Sequence, residues 1–97
     1  MKTKIRKFDA AEWLDSDEAI AHYLEDAIAS GNAEEINQAF GTVARAKGMT
    51  EIARAANLGR ESLYKALSAE GNPSFDTIRR VVNAMGLKLA ISPQKAG

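Results

Sequence analysis

With 97 residues, the chain has room for one domain and a modest core. Thirteen basic and thirteen acidic side chains cancel, and the lack of cysteine excludes a disulfide framework, a cysteine metal site and a thiol nucleophile. No apolar run approaches the roughly 20 residues of a membrane helix. No apolar core follows the basic residues of MKTKIRKFDAAEW, so no signal peptide is expected and the protein is read as cytoplasmic, with no membrane partner.

Residues 2–8, KTKIRKF, alternate weakly and read as a short edge strand or an arm. Residues 9–15, DAAEWLD, read as a helical turn anchored by Trp13 and Leu14. Ser16 is a good N-cap, with Asp17 and Glu18 complementing the helix dipole in the first turn. Ile20, Tyr23, Leu24, Ala27 and Ile28 then repeat at helical spacing up to the Ser30–Gly31 stop. Asn32 opens the next helix, with Glu35 three residues on. Its stripe of Ile36, Ala39, Phe40, Val43 and Ala44 is the strongest in the chain, and Gly48 ends it.

Residues 49–67, MTEIARAANLGRESLYKAL, predict two short helices joined by a tight turn, the helix-turn-helix arrangement that enters the DNA major groove. Thr50 is expected to cap the first helix, which carries Ile52, Ala53 and Ala56 on one side. Asn57 sits where the chain must reverse, in a left-handed conformation that asparagine tolerates, and Leu58 plugs the angle between the helices. Leu63, Ala66 and Leu67 face inward at i, i+3 and i+4. At 100° per residue, Glu61, Tyr64, Lys65 and Ser68 then face outward beside Ser62, with Arg60 at the helix tip. Arginine pairs with guanine and glutamate can accept from cytosine, while the helix N-terminus suits a phosphate.

The loop SAEGNPSF follows, and Ser74 caps a helix with Ile78, Val81, Val82 and Met85 inward, ended by Gly86. Leu87, Leu89 and Ile91 alternate with Lys88, Ala90 and Ser92 up to Pro93, a strand pattern. A lone strand has nowhere to place its backbone hydrogen bonds. It must pair with residues 3–7, with its own symmetry mate or with another protein; pairing through Leu87, Leu89 and Ile91 across a two-fold axis would give a homodimer. The expectation is therefore an all-α bundle of about five helices containing a helix-turn-helix, with a short C-terminal β-strand used in dimerisation. Residues 1–31 are its acidic N-terminal extension, 32–86 its helical core and 87–92 the strand.

Charge is divided along the chain. Residues 1–40 hold four basic and nine acidic side chains, net −5, and residues 41–97 hold nine basic and four acidic, net +5. The basic half suits a polyanion, and the acidic half suits a basic partner or simply solubility. His22, the only histidine, has no partners for a metal or for catalysis, and the glycines are dispersed as caps and turns rather than gathered into a phosphate loop. No enzyme, metal or cofactor is expected.

The sequence resembles the helix-turn-helix addiction-module antidote proteins, the HigA-like antitoxins of bacterial toxin–antitoxin operons. The resemblance spans FDAAEWLDSDEAIAHYLEDAI, INQAFGTVARAKGMTEIARAANLGRESLYKALSAEGNPSFDTI and LKLAI, with RESLYKALS and GNPSF its most specific parts. It implies a lambda-repressor-like DNA-binding core, a homodimer on double-stranded operator DNA, repression of the protein's own operon, and neutralisation of a small basic toxin of the RelE/ParE type. It places Arg60, Glu61, Ser62, Tyr64 and Lys65 at base edges and Thr50 and Ser68 near phosphates. Asn57 stands where glycine is commonest. Toxin contacts transfer less directly; Trp13, Leu14 and Tyr23 are the candidate apolar anchors in the acidic half. A stand-alone helix-turn-helix transcriptional regulator, or a pure protein-interaction module with a degenerate DNA surface, remain the competing readings.

Overall fold

A computed structural model of the chain describes residues 14–94. Five helices follow one another: α1 (Asp17–Ser30), α2 (Ala33–Lys47), α3 (Met49–Ala55), α4 (Arg60–Ala66) and α5 (Phe75–Ala84). The candidate arm at residues 2–8 and the anchor Trp13 lie outside the described residues.

Local cap chemistry sets most helix ends. The Ser16 hydroxyl accepts from the Ala19 amide at 3.1 Å, the Asn32 side chain from the Glu35 amide at 2.9 Å, and the Ser74 hydroxyl from the Thr77 amide at 3.1 Å. Each satisfies an amide that the first turn leaves without an intrahelical partner. Gly31, at φ +72°, closes α1 in the left-handed conformation expected of a helix stop.

The junction of α2 and α3 differs from expectation. Gly48, at φ +109°, closes α2 by donating to the Ala44 carbonyl at 2.9 Å, and it also precedes the first residue of α3. Thr50 therefore sits inside the first turn of α3, and no side chain caps that helix. One glycine serves both ends, so the chain turns two residues earlier than the threonine suggested.

Phe40 and Val43 on α2, Leu63 on α4, and Val81 and Met85 on and after α5 are the largest fully buried side chains. Ile20 and Leu24 bring α1 into the same core, 3% and 5% exposed, so the acidic first helix is packed rather than appended. The helix α1 lies against α2, α3 touches both α2 and α5, and α4 packs on α3. The α3–α4 pair is thus seated on α2 and α5 by Met49, Ile52, Ala53 and Leu63, all buried.

The C-terminal β-strand expected over residues 87–92 is overturned. Among the described residues there is no strand, and Lys88–Gln94 adopt no regular secondary structure. The Leu87 amide donates to the Val82 carbonyl at 3.1 Å, closing α5, and the half-buried Leu87 side chain packs against the core. Leu87 and Leu89 line an apolar groove with Leu24, Ile28, Phe40 and Val82, while Ile91 is fully exposed. Of the three alternating residues Leu87 alone packs on the helices, while Leu89 is 41% exposed and Ile91 wholly so. A period of two in the sequence does not by itself supply a partner for the ladder, and here the backbone closes α5 at Leu87 instead.

Candidate nucleic-acid interface

The turn between α3 and α4 is made by Ala56–Gly59. The Asn57 amide donates to the Arg54 carbonyl at 3.1 Å and the Leu58 amide to the Ala53 carbonyl at 2.8 Å. Asn57 has φ +60°, the one non-glycine residue with positive φ among the described residues. Leu58 is half-buried against the core, and Ala53 and Ala56 are 3% and 4% exposed, small enough for close packing. From Gly59 the chain enters α4, whose Leu63 is completely buried.

Every residue singled out for DNA on the helix pair is exposed: Thr50 on α3, Arg60, Glu61, Ser62, Tyr64 and Lys65 on α4, and Ser68 just beyond it. Arg60 and Tyr64, one turn apart, hold each other. The guanidinium carbon lies 5.3 Å from the centre of the tyrosine ring, and Nη2 donates to the tyrosine hydroxyl at 3.5 Å. The Ser68 hydroxyl donates to the Lys65 carbonyl at 2.9 Å, which ties down the end of the helix.

Among the described residues a few charges pair locally. Asp76 receives Arg79 at 2.7 Å and Arg80 at 3.0 Å, and Lys47 reaches Asp17 at 3.7 Å. The Arg79 hydrogen bond, with the charges of Arg80 and Arg79, holds the Asp76 carboxyl below its ordinary pKa. Arg54, Arg60 and Lys65, by contrast, form no ion pair among the described residues. Beside them on the pair lie the exposed Glu51 and Glu61, so its three cations outnumber its two carboxylates by one, a small excess of the sign that attracts a polyanion.

One residue of this region escapes sequence reasoning. Asn37 on α2 is the one buried polar residue among those described, at 6% exposed. Its amide nitrogen donates to the Ser68 carbonyl at 3.2 Å and the Gly71 carbonyl at 2.8 Å, both beyond the end of α4. The available signal was a polar residue three positions before Phe40, inside the strongest apolar stripe.

The acidic half is arranged differently. Leu14 and Tyr23 are half-buried against the core, and Tyr23 shares a shallow groove between α1 and α2 with Asp26, Glu35 and Gln38. The third candidate anchor, Trp13, lies outside the described residues. The His22 side chain is 81% exposed, 3.8 Å from Glu25. Among the described residues no group of His, Cys, Asp or Glu side chains could hold a metal, and no helix is long and apolar enough to cross a membrane.

A family model described as "Probable addiction module antidote protein" matches residues 4–93. The chain belongs to this antidote family. A protein of Haemophilus influenzae, described only as uncharacterized, is 42% identical over 95 residues, which covers 98% of each chain. No solved structure matches the chain. Family membership points to an antitoxin role, and such a role implies a toxin partner.

Proposed function

We propose that this antidote is of the HigA-like type. It binds operator DNA by laying α4 in the major groove, represses its own operon, and neutralises a toxin of the RelE/ParE type in the cytoplasm. The observation that carries the DNA reading is the exposed row of Arg60, Glu61, Ser62, Tyr64 and Lys65 on a short helix whose opposite side, Leu63, is locked in the core. A rigid helix with one solvated polar face can place side chains against base edges. Operators of such repressors present two half-sites, so the active species is a homodimer. Antidote membership favours this reading over a stand-alone regulator.

The test is a mobility-shift titration with duplex DNA from the promoter of the gene that encodes the chain, against a scrambled duplex. Arg60→Ala is expected to weaken promoter binding by about 1–3 kcal/mol, the size of one lost bidentate guanine contact. Lys65→Ala is expected to weaken both duplexes alike and to reduce the salt slope by about 0.9, as loss of one phosphate contact does. Equal affinity of the unaltered protein for the two duplexes would overturn the DNA reading.

A further inference from the structure

We infer that Asn37, on α2, is a positioning residue for the DNA-reading face of α4. The inference rests on the DNA role proposed for that helix. At seven residues α4 is too short to hold its own shape, and it needs its ends fixed from outside. Its N-terminal end follows Gly59 without a side-chain cap. The C-terminal end is fixed by a small clamp formed by Ser68, Gly71 and Asn37.

The clamp has two halves. In the first, the segment after α4 folds back on the helix. The Ser68 hydroxyl bonds the Lys65 carbonyl, and the Gly71 amide donates to the Ser68 carbonyl at 2.9 Å. The approach is so close that a Cβ on Gly71 would collide with the Ala66 carbonyl oxygen and lie 2.6 Å from that of Lys65. In the second half, the Asn37 amide donates to the Ser68 and Gly71 carbonyls together, bridging 31 and 34 positions of sequence. Both are long-range bonds from a buried side chain on α2, whose neighbour Phe40 is in the centre of the core.

The chemistry is specific to asparagine. Two carbonyl oxygens need two N–H donors, and a neutral amide supplies both from one nitrogen. Aspartate at this position would offer only acceptors, and alanine would leave the Gly71 carbonyl without its bond and the Ser68 carbonyl with the Gly71 amide alone. Lys65 and Ser68, two of the exposed residues proposed to meet DNA, lie within the clamped turn. Release of the clamp would let that turn fray and shift both side chains, although neither is altered. Asn37 is therefore expected to influence DNA recognition from a position that faces away from the DNA.

Asn37→Ala and Asn37→Gln test this in the full chain, at a temperature where circular dichroism shows each variant folded. Promoter and scrambled duplexes are titrated in parallel, and amide hydrogen exchange is followed along the chain. Asn37→Ala is expected to lose about tenfold in affinity for both duplexes and to flatten the salt dependence, as displacement of phosphate contacts at Lys65 and Ser68 does. Exchange is expected to quicken at the end of α4 and in Ser68–Gly71 but not in α2. Asn37→Gln, which keeps the amide on a longer arm, is expected to recover part of the loss. Unchanged promoter affinity in folded Asn37→Ala would overturn the inference and leave the DNA reading standing. So would a fall in affinity with exchange at the end of α4 and in Ser68–Gly71 unchanged. Failure of the unaltered protein to distinguish the duplexes would instead remove the DNA reading and the inference with it.

Discussion

Asn57 sets the angle at which α3 hands the chain to α4. Its φ of +60° is a conformation that costs an ordinary L-residue about 1–2 kcal/mol. Asparagine is tolerated there because its short polar side chain can bond locally. Asn57→Ala is expected to lower stability by about 1–2 kcal/mol in urea unfolding; an unchanged midpoint would mean that the turn relaxes to another geometry at no cost. This residue was legible in the sequence, because the need for a reversal between two apolar helices and the presence of a left-handed-tolerant residue are both local facts. Asn37 was not. Its partners lie more than thirty residues ahead, and in isolation a polar side chain in an apolar stripe does not say what it bonds. The outward placement of Arg60, Glu61, Tyr64 and Lys65 could be read from helical periodicity, whereas what that face touches is a separate question for experiment.

At the scale of elements, legibility followed the range of the interaction that decides each boundary. Ser16, Asn32 and Ser74 make the cap bonds their positions suggest, since a cap closes within three residues. Thr50 was misread because Gly48 already served as the turn for both neighbouring helices. The segment 87–92 was misread for a different reason. A period of two states only that alternate side chains meet different surroundings. The surface that Leu87 and Leu89 meet is built by Leu24, Phe40 and Val82, and for Leu24 and Phe40 that lies far back in the chain. The start of the tail, at Leu87, accordingly packs on the core. Ending the chain at Gly86 is expected to expose part of that groove and lower stability by about 1–3 kcal/mol, given the worth of burying a leucine. For a domain of this size that is a fall of several degrees in Tm, readable by thermal denaturation followed by circular dichroism. An unchanged Tm would show that the tail contributes no cover.

At the scale of the whole molecule, charge and fold coincide. The acidic half of the sequence becomes α1 and the start of α2, where Glu18, Glu25 and Asp26 are exposed. The basic half supplies Arg54, Arg60 and Lys65 on the α3–α4 pair. Under the proposed function, this division of charge between elements would favour DNA at the helix pair and a basic protein at α1, even though the net charge is zero. Oppositely charged surfaces act mainly on the rate of encounter, and salt screens them. Changing Glu18, Glu25 and Asp26 together to glutamine is therefore expected to slow association with the toxin about tenfold at low salt. The difference should vanish near 1 M salt, where the screening length falls to about 3 Å. Promoter affinity should not fall, because the altered residues lie on α1. Stopped-flow association at several salt concentrations reads the effect directly. If the triple variant associated as fast as the unaltered protein at low salt, α1 would not be the face that meets the toxin. The apolar groove beside Leu89, or the helix pair itself, would then take its place.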